Sequence, residues 1–329
     1  MTYRALVVDK QGDEFSVTVR DLDEASLPAG DVTIRVEWSS VNYKDGLACS
    51  PAGRVIRNYP MVPGVDLAGS VVDSKDARYK AGDAVIVVGS DLGTAHPGGF
   101  AELARVPGDW VTPLPVGLTT KEAMALGTAG FTAAQSVEAL ERFGLRPENG
   151  PVLVTGATGG VGSTAVSILA SRGYTVAGST GKESEHQFLR TLGATEILSR
   201  EDVSADSTRP LESERWAAAV DPVGGSTTAY LVRTMKYGGS IALSGLTGGT
   251  TVNTTVMPFI LRGVNLIGID SVNCGRETRL RVWGRLATDM RVPSLLESIA
   301  RETDLDGVYE VAKSILGGKV TGRTLVRVS

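Results

Sequence analysis

Two textures of hydrophobic patterning divide the chain. Up to about residue 120 the apolar positions come in short runs, ALVVD, FSVTVRDL, DVTIRVEWSS, DLAGSVVDS, DAVIVVG and FAELARV, separated by turns such as PAGD and KAGD. Short strands punctuated by Gly, Pro and Asp predict a compact, barrel-like antiparallel domain. From Lys121 the period changes: KEAMALGTAGFTAAQSVEAL has helical spacing, and the apolar runs PVLVT, YTVAGS, TEILS, WAAAVDPVG, GSIALSG and NLIGID follow with helical stretches between them. Strands alternating with helices predict an α/β fold with a doubly wound parallel sheet. The closing stretch holds two amphipathic helices, LRVWGRLATDM and GVYEVAKSIL, and a last strand, RTLVRV, able to return to the first domain. The predicted division is 1–121, 122–271 and a C-terminal segment 272–329.

The stretch TGATGGVG, Thr155 to Gly162, stands between the strand PVLV and the helical STAVSILASRG. Strand, glycine-rich turn and helix in that order aim several backbone N–H groups at one point by the helix N-terminus, a point that favours an anion. Ala157, Gly159 and Gly162 follow an AxGxxG variant of the dinucleotide fingerprint, and no GK[ST] follows to make a nucleoside-triphosphate loop. Gly156, Thr158, Gly159, Gly160, Val161 and Gly162 are therefore the predicted pyrophosphate contacts. The next strand ends in Ser179, Thr180, Gly181 and Lys182 where an NAD-binding unit carries Asp or Glu. A carboxylate there repels a 2′-phosphate, whereas hydroxyls and an ammonium accept it, so the predicted cofactor is NADPH. Arg200 is a second cation for the same phosphate; Glu183 and Glu185 complement a helix start, and a solvated surface role is the alternative for Lys182. Ser244 and Gly245 end the fifth strand, where ligands of such sheets sit.

Composition narrows the classes. The 329 residues are enough for two cored domains, and a net charge of −4 shows no polyanion-binding signature. No run of eighteen apolar residues and no leader pattern is present, and Cys49 and Cys274 make no disulfide framework, so a reducing cytoplasm is expected. A catalytic zinc needs three Cys, His or carboxylate ligands. The two histidines, His96 and His186, are scattered and read as surface residues, and Asp66 lacks companions, so no metal is expected.

The segments VNYKDGLA, VPGVDLAG, GGFAELARV, LGTAGFTAA, TGATGGVG and MPFILRGVNLIGIDSV together resemble the zinc-independent branch of the medium-chain dehydrogenase/reductase superfamily, and most nearly its acryloyl-CoA reductase and quinone oxidoreductase-like members. The resemblance spans essentially the whole chain. It implies a GroES-like catalytic domain joined to a Rossmann domain, and a Val65 where zinc-dependent relatives carry histidine. The activity it implies is NADPH-dependent reduction of the activated C=C bond of an acyl thioester, acryloyl-CoA to propionyl-CoA. Such chemistry asks the protein to orient the cofactor, to donate hydrogen bonds to the carbonyl oxygen, and to deliver a proton.

Asn42 and Tyr43 are the candidate donors, with simple packing as the alternative for Tyr43. Thr128 matches a turn beside the nicotinamide and Arg323 a basic position near the cofactor, while Asp221 in DPVGG reads as a turn former. Arg54, Arg57 and Arg262 are candidates for the phosphates of CoA, with plain surface arginine as the alternative. Two other functions stay open: a general quinone or enone reductase, and an NADPH- or RNA-binding protein without turnover. No nucleic-acid or membrane partner is expected, and NLIGID as a sheet edge predicts a homodimer.

Overall fold

The structure, a computed structural model, describes residues 2–293 and 295–329. Its residues fall into two compact units, Met1–Thr128 with Ser271–Ala287 and Leu295–Ser329, and Ala129–Asp270 with Thr288–Ser294. The first unit starts with a hairpin of β1 (Thr2–Gln11) and β2 (Glu14–Asp23), which reverses at Gly12. A φ of +62° at Gly12 is one that a side chain would resist. There follow β3 (Val32–Val41), α1 (Tyr43–Ala48), β4 (Asp66–Ser74), β5 (Ala84–Val88), β6 (Leu103–Val106) and β7 (Thr112–Pro113). On β3 the side chains of Val32, Ile34 and Val36 point inward and are fully buried, and with Leu67, Val85, Val87 and Phe100 they form the core.

Helix α2 (Thr120–Arg142) is broken at Gly127, whose φ of 52° and ψ of −156° are not helical. The division between the units falls within it, after Thr128 rather than at residue 121. The second unit then runs β8 (Val152–Val154), α3 (Gly160–Ser171), β9 (Val176–Ser179), α4 (His186–Thr191), β10 (Glu196–Leu198), β11 (Trp216–Asp221), α5 (Ser226–Thr234), β12 (Met235–Leu243), α6 (Met257–Arg262) and β13 (Asn265–Gly268). All six strands are parallel, in the order β10-β9-β8-β11-β12-β13. That is the doubly wound order, with its direction reversing between β8 and β11, where such sheets open a crevice at the strand ends. Strands β8, β9 and β11 are buried along their whole length, which explains why they read as unbroken apolar runs.

The chain returns to the first unit through α7 (Arg276–Ala287), α8 (Leu295–Ser298), β14 (Ala300–Asp304), α9 (Val308–Leu316) and β15 (Arg323–Arg327). Strand β15 enters between β14 and β3, completing a sheet ordered β14-β15-β3-β4-β5-β7, with β6 also on β3. Helix α9 buries Val308 and Ala312, one turn apart, and packs on α1. The contact is close at Gly46, where an added Cβ would lie 2.9 Å from the Ala312 carbonyl oxygen. No helix among the described residues is long and apolar enough to cross a membrane.

Candidate active site

In the first unit the end of β3, the start of α1, the start of β4, the Gly127 break and β15 bring polar groups together in the interior. Asp66, wholly buried, is the centre. Its Oδ2 accepts hydrogen bonds from Ser40 Oγ at 2.6 Å, Asn42 Nδ2 at 2.7 Å and the Thr128 N–H at 2.9 Å, and its Oδ1 accepts from the Thr128 hydroxyl. The counter-charge is Arg323, also buried, with a guanidinium nitrogen 3.5 Å from Asp66. Arg323 also donates to Ser40 Oγ at 2.7 Å, Asn42 Oδ1 at 3.0 Å, and the carbonyls of Ala125 and Val41. Burial depresses its basicity, and the carboxylates of Asp66 and Asp45 oppose that shift. Gly127 makes the assembly possible: a Cβ there would intrude on Asp66, Arg323 and Ser40 together.

Asp45 forms a second layer. Its oxygens accept from the Asn42 N–H at 2.8 Å and the Val65 N–H at 3.0 Å, so it caps α1 and ties it to the strand that carries Asp66. Desolvation first and the Asp66 charge second push its carboxyl up to about 7, against the pull of those two N–H groups. Beside it Cys49 is buried and its thiol is pushed up to about 12, chiefly by desolvation and then by Asp45. That thiol is not a nucleophile.

This geometry revises three of the expected roles. Asn42 gives one N–H to Asp66 and the other to the Ser40 carbonyl at 3.3 Å, and its oxygen accepts from Arg323. Neither donor is left for a substrate oxygen, so Asn42 positions rather than donates. Arg323, expected beside the cofactor, has its guanidinium enclosed in the network, because Asp66 needs a buried counter-charge. Arg262, expected on CoA phosphates, donates to the carbonyls of Arg233, Met235 and Glu212 and lies 3.6 Å from Glu214. Tyr43 differs from all of these. It is 41% exposed, and its hydroxyl has no partner among the described residues. Composition and periodicity gave no sign of the Asp66–Arg323 pair; a lone Asp in an apolar strand, DLAG, was its trace.

In the second unit the glycine-rich turn closes as the spacing requires. The Gly159 N–H bonds the Gly156 carbonyl at 2.9 Å, Gly156 having φ +52°, and Gly159 caps α3. Only Gly fits at 162, where a Cβ would press on the Gly156 carbonyl and lie 2.7 Å from Ala157 Cα. A Cβ at Gly159 would meet only the Gly156 carbonyl oxygen, 3.4 Å away, so the space in front of α3 is open. The first-turn N–H groups of Gly160, Val161 and Gly162 have no intrahelical acceptor and point there.

At the end of β9 Ser179 Oγ donates to the Ser199 carbonyl at 3.2 Å, and the Thr158 and Thr180 hydroxyls lie 3.0 Å apart. The Lys182 N–H bonds Thr180 Oγ1, and the Arg200 guanidinium lies over Gly181, whose Cβ would be 3.2 Å from Arg200 Cζ. Arg200 thus reaches over the loop that carries Lys182. Asp221 acts as the turn former its sequence suggested: it accepts from Thr155, Thr228 and the N–H groups of Val223 and Gly224. At the end of β12, next to Gly245, Ser244 Oγ is buried without a partner among the described residues. An orphaned hydroxyl at the end of β12, an open N-terminus on α3, and Lys182 and Arg200 just past the ends of β9 and β10 are donors of the kind a phosphorylated dinucleotide asks for.

Among the described residues no group of three or more His, Cys, Asp or Glu side chains is placed to hold a metal ion. His96 lies edge-on to Trp110, with ring centroids 5.1 Å apart, and His186 begins α4.

A GroES-like unit with a buried Asp–Arg pair and a Rossmann unit with a glycine-rich phosphate turn define a two-domain nucleotide-dependent oxidoreductase. The chain belongs to the medium-chain dehydrogenase/reductase family. Residues 28–116 match the alcohol dehydrogenase GroES-like domain, and residues 160–287 match the family described as zinc-binding dehydrogenase. It is 50% identical to the acrylyl-CoA reductase AcuI of Ruegeria pomeroyi over 99% of both chains. Among solved structures it resembles the yhdH oxidoreductase of Salmonella enterica in complex with NADP, with 48% identity, a TM-score of 0.97 and coverage of 99% and 100% of the two chains. The Bacillus subtilis protein yhfP with NAD bound matches with 49% identity, a TM-score of 0.97 and 99% coverage of both chains.

Proposed function

We propose that this protein is an NADPH-dependent acryloyl-CoA reductase. The observation that carries the reading is the match at 50% identity over essentially the full length of an acrylyl-CoA reductase. When bound, NADPH supplies the hydride that adds to the β-carbon of the acyl thioester. The residues for holding it are the N–H groups of Gly160, Val161 and Gly162 for the pyrophosphate, Thr180, Lys182 and Arg200 for the 2′-phosphate, and the unpartnered Ser244 hydroxyl.

The remaining task is to stabilise charge on the thioester oxygen and to protonate the α-carbon. Tyr43 is the group for it: its hydroxyl is accessible and uncommitted, and its ring rides on the first turn of a helix whose N-cap is fixed by Asp45, Asp66 and Arg323 through Asn42. A buried, fully bonded network keeps that helix start rigid, which is what electrostatic preorganisation asks. Thr128, bonded twice to Asp66, extends the same scaffold.

The protein acts, on this reading, in the cytoplasm as a homodimer, with neither nucleic acid nor membrane as partner. Strand β13 is a sheet edge with one free side, and Leu246, Val256, Ile260, Leu261 and Leu266 are exposed apolar residues on or near it. An unprotected edge with apolar surroundings is covered by a second copy at least cost. The deciding assay follows NADPH oxidation with acryloyl-CoA, free acrylate and a benzoquinone in parallel. Turnover of the thioester well above both others is the expected result; preference for the quinone overturns the assignment in favour of a quinone reductase.

A further inference from the structure

Resting on the acryloyl-CoA reading, we infer that Arg54 is the residue that recognises the nucleotide end of the CoA thioester. Arg54 lies in the loop that leaves α1, the helix carrying Tyr43. That loop is seated on the helix at Gly53, where a Cβ would collide with the Leu47 carbonyl. The next residue, Arg54, has φ +51°, and the one other non-glycine residue described with positive φ is Ser90.

A left-handed backbone at a residue with a long side chain is destabilising and persists only where something else requires it. Nothing within the chain requires the guanidinium: Arg54 is exposed and makes no hydrogen bond or ion pair among the described residues. Of the other candidates, Arg262 is engaged within the chain and Arg57 has an acidic neighbour that Arg54 lacks. Arg57 lies 3.5 Å from Asp91, and Arg262 is bound to backbone carbonyls. Glycine fits a left-handed position without strain, so an arginine there carries a stability cost with no internal return. An external anion is the remaining use, and a planar, permanently charged fork is matched to the phosphate oxygens of CoA.

The variant Arg54→Gly tests this directly, because it keeps the backbone conformation while deleting the cation. KM is measured with acryloyl-CoA and with acryloyl-pantetheine, which lacks the nucleotide phosphates, alongside the melting temperature. The expected result is a KM for acryloyl-CoA raised about five- to tenfold, an unchanged KM for acryloyl-pantetheine, unchanged kcat on both, and a melting temperature equal to or above that of the wild type. Arg54→Lys restores part of the difference. Equal KM changes for the two thioesters, or no change for either, overturn the inference while leaving the reductase assignment standing. Failure of the wild type to reduce either thioester overturns the assignment itself.

Discussion

At the scale of single residues, Tyr43 and Asp45 separate chemistry from support. Tyr43→Phe removes a hydroxyl with no partner among the described residues and keeps the ring, so folding should be unaffected. General acid catalysis is worth about 10²- to 10⁴-fold, and kcat with acryloyl-CoA should fall within that range. A fall of less than about threefold, with cofactor affinity and melting temperature intact, assigns the proton to solvent instead. Asp45 makes the opposite kind of contribution. Its folded carboxyl titrates at about 7, above its ordinary value of 3.8, so between those values the folded state holds a proton that the unfolded state has lost. The sign follows: this group makes stability fall as pH rises from about 4 to about 7, and its penalty is complete above that. Asp45→Asn removes the titration and one of two backbone hydrogen bonds. Denaturant melts at pH 5 and pH 8 should show the wild type losing stability relative to Asp45→Asn as pH rises. A constant gap between the two proteins means that Asp45 ionises normally.

At the scale of elements, the break in α2 is the feature on which the first unit's polar interior depends. Gly127→Ala forces a side chain onto a φ of 52° and into the space of Asp66, Arg323 and Ser40. Disruption of a buried charge pair is costly, about 3 to 5 kcal/mol, so a drop of that order in unfolding free energy is expected, measured by urea denaturation. A change below about 1 kcal/mol means that the helix can close over the network, and that Gly127 is merely tolerated. The sequence had shown LGTAGFTAA inside one helical pattern, and periodicity could not reveal that the helix is interrupted there. The elements of the nucleotide-binding sheet were legible because their signals are local: PVLV, the glycine turn and the helix follow one another directly between Pro151 and Gly173. The buried network was not, because its members come from residues 40, 42, 45, 66, 128 and 323, and pairing across such separations leaves no periodic trace. Arg323 illustrates the difference. Its membership of the returning strand could be read from RTLVRV, but its partner could not.

At the scale of the whole molecule, the assembly proposal is tested on the apolar surface near β13. Ile260 is 72% exposed, so Ile260→Asp should leave a single chain as stable as before. In a dimer covered through that surface it buries an unpaired charge, and sedimentation at micromolar concentration should then show monomers where the wild type sediments as dimers. A wild type that sediments as a monomer removes the proposal, and an Ile260→Asp variant that remains dimeric moves the interface elsewhere.

The return of β15 to the first unit has a consequence for the order in which a nascent chain can acquire structure. The second unit is nearly contiguous, Ala129–Asp270, and every strand of its sheet has left the ribosome before Arg323 is made. The first unit begins to emerge earlier but cannot be completed until last, because β15 sits between β14 and β3 and brings the one cation paired with Asp66 among the described residues. Until then Asp66 has no guanidinium to balance it, and β3 is open on one side at its Trp38–Val41 end. The unit whose first strands are translated first is thus the one that matures last, and until β15 is made the Trp38–Val41 end of β3 is exposed on one side to other chains.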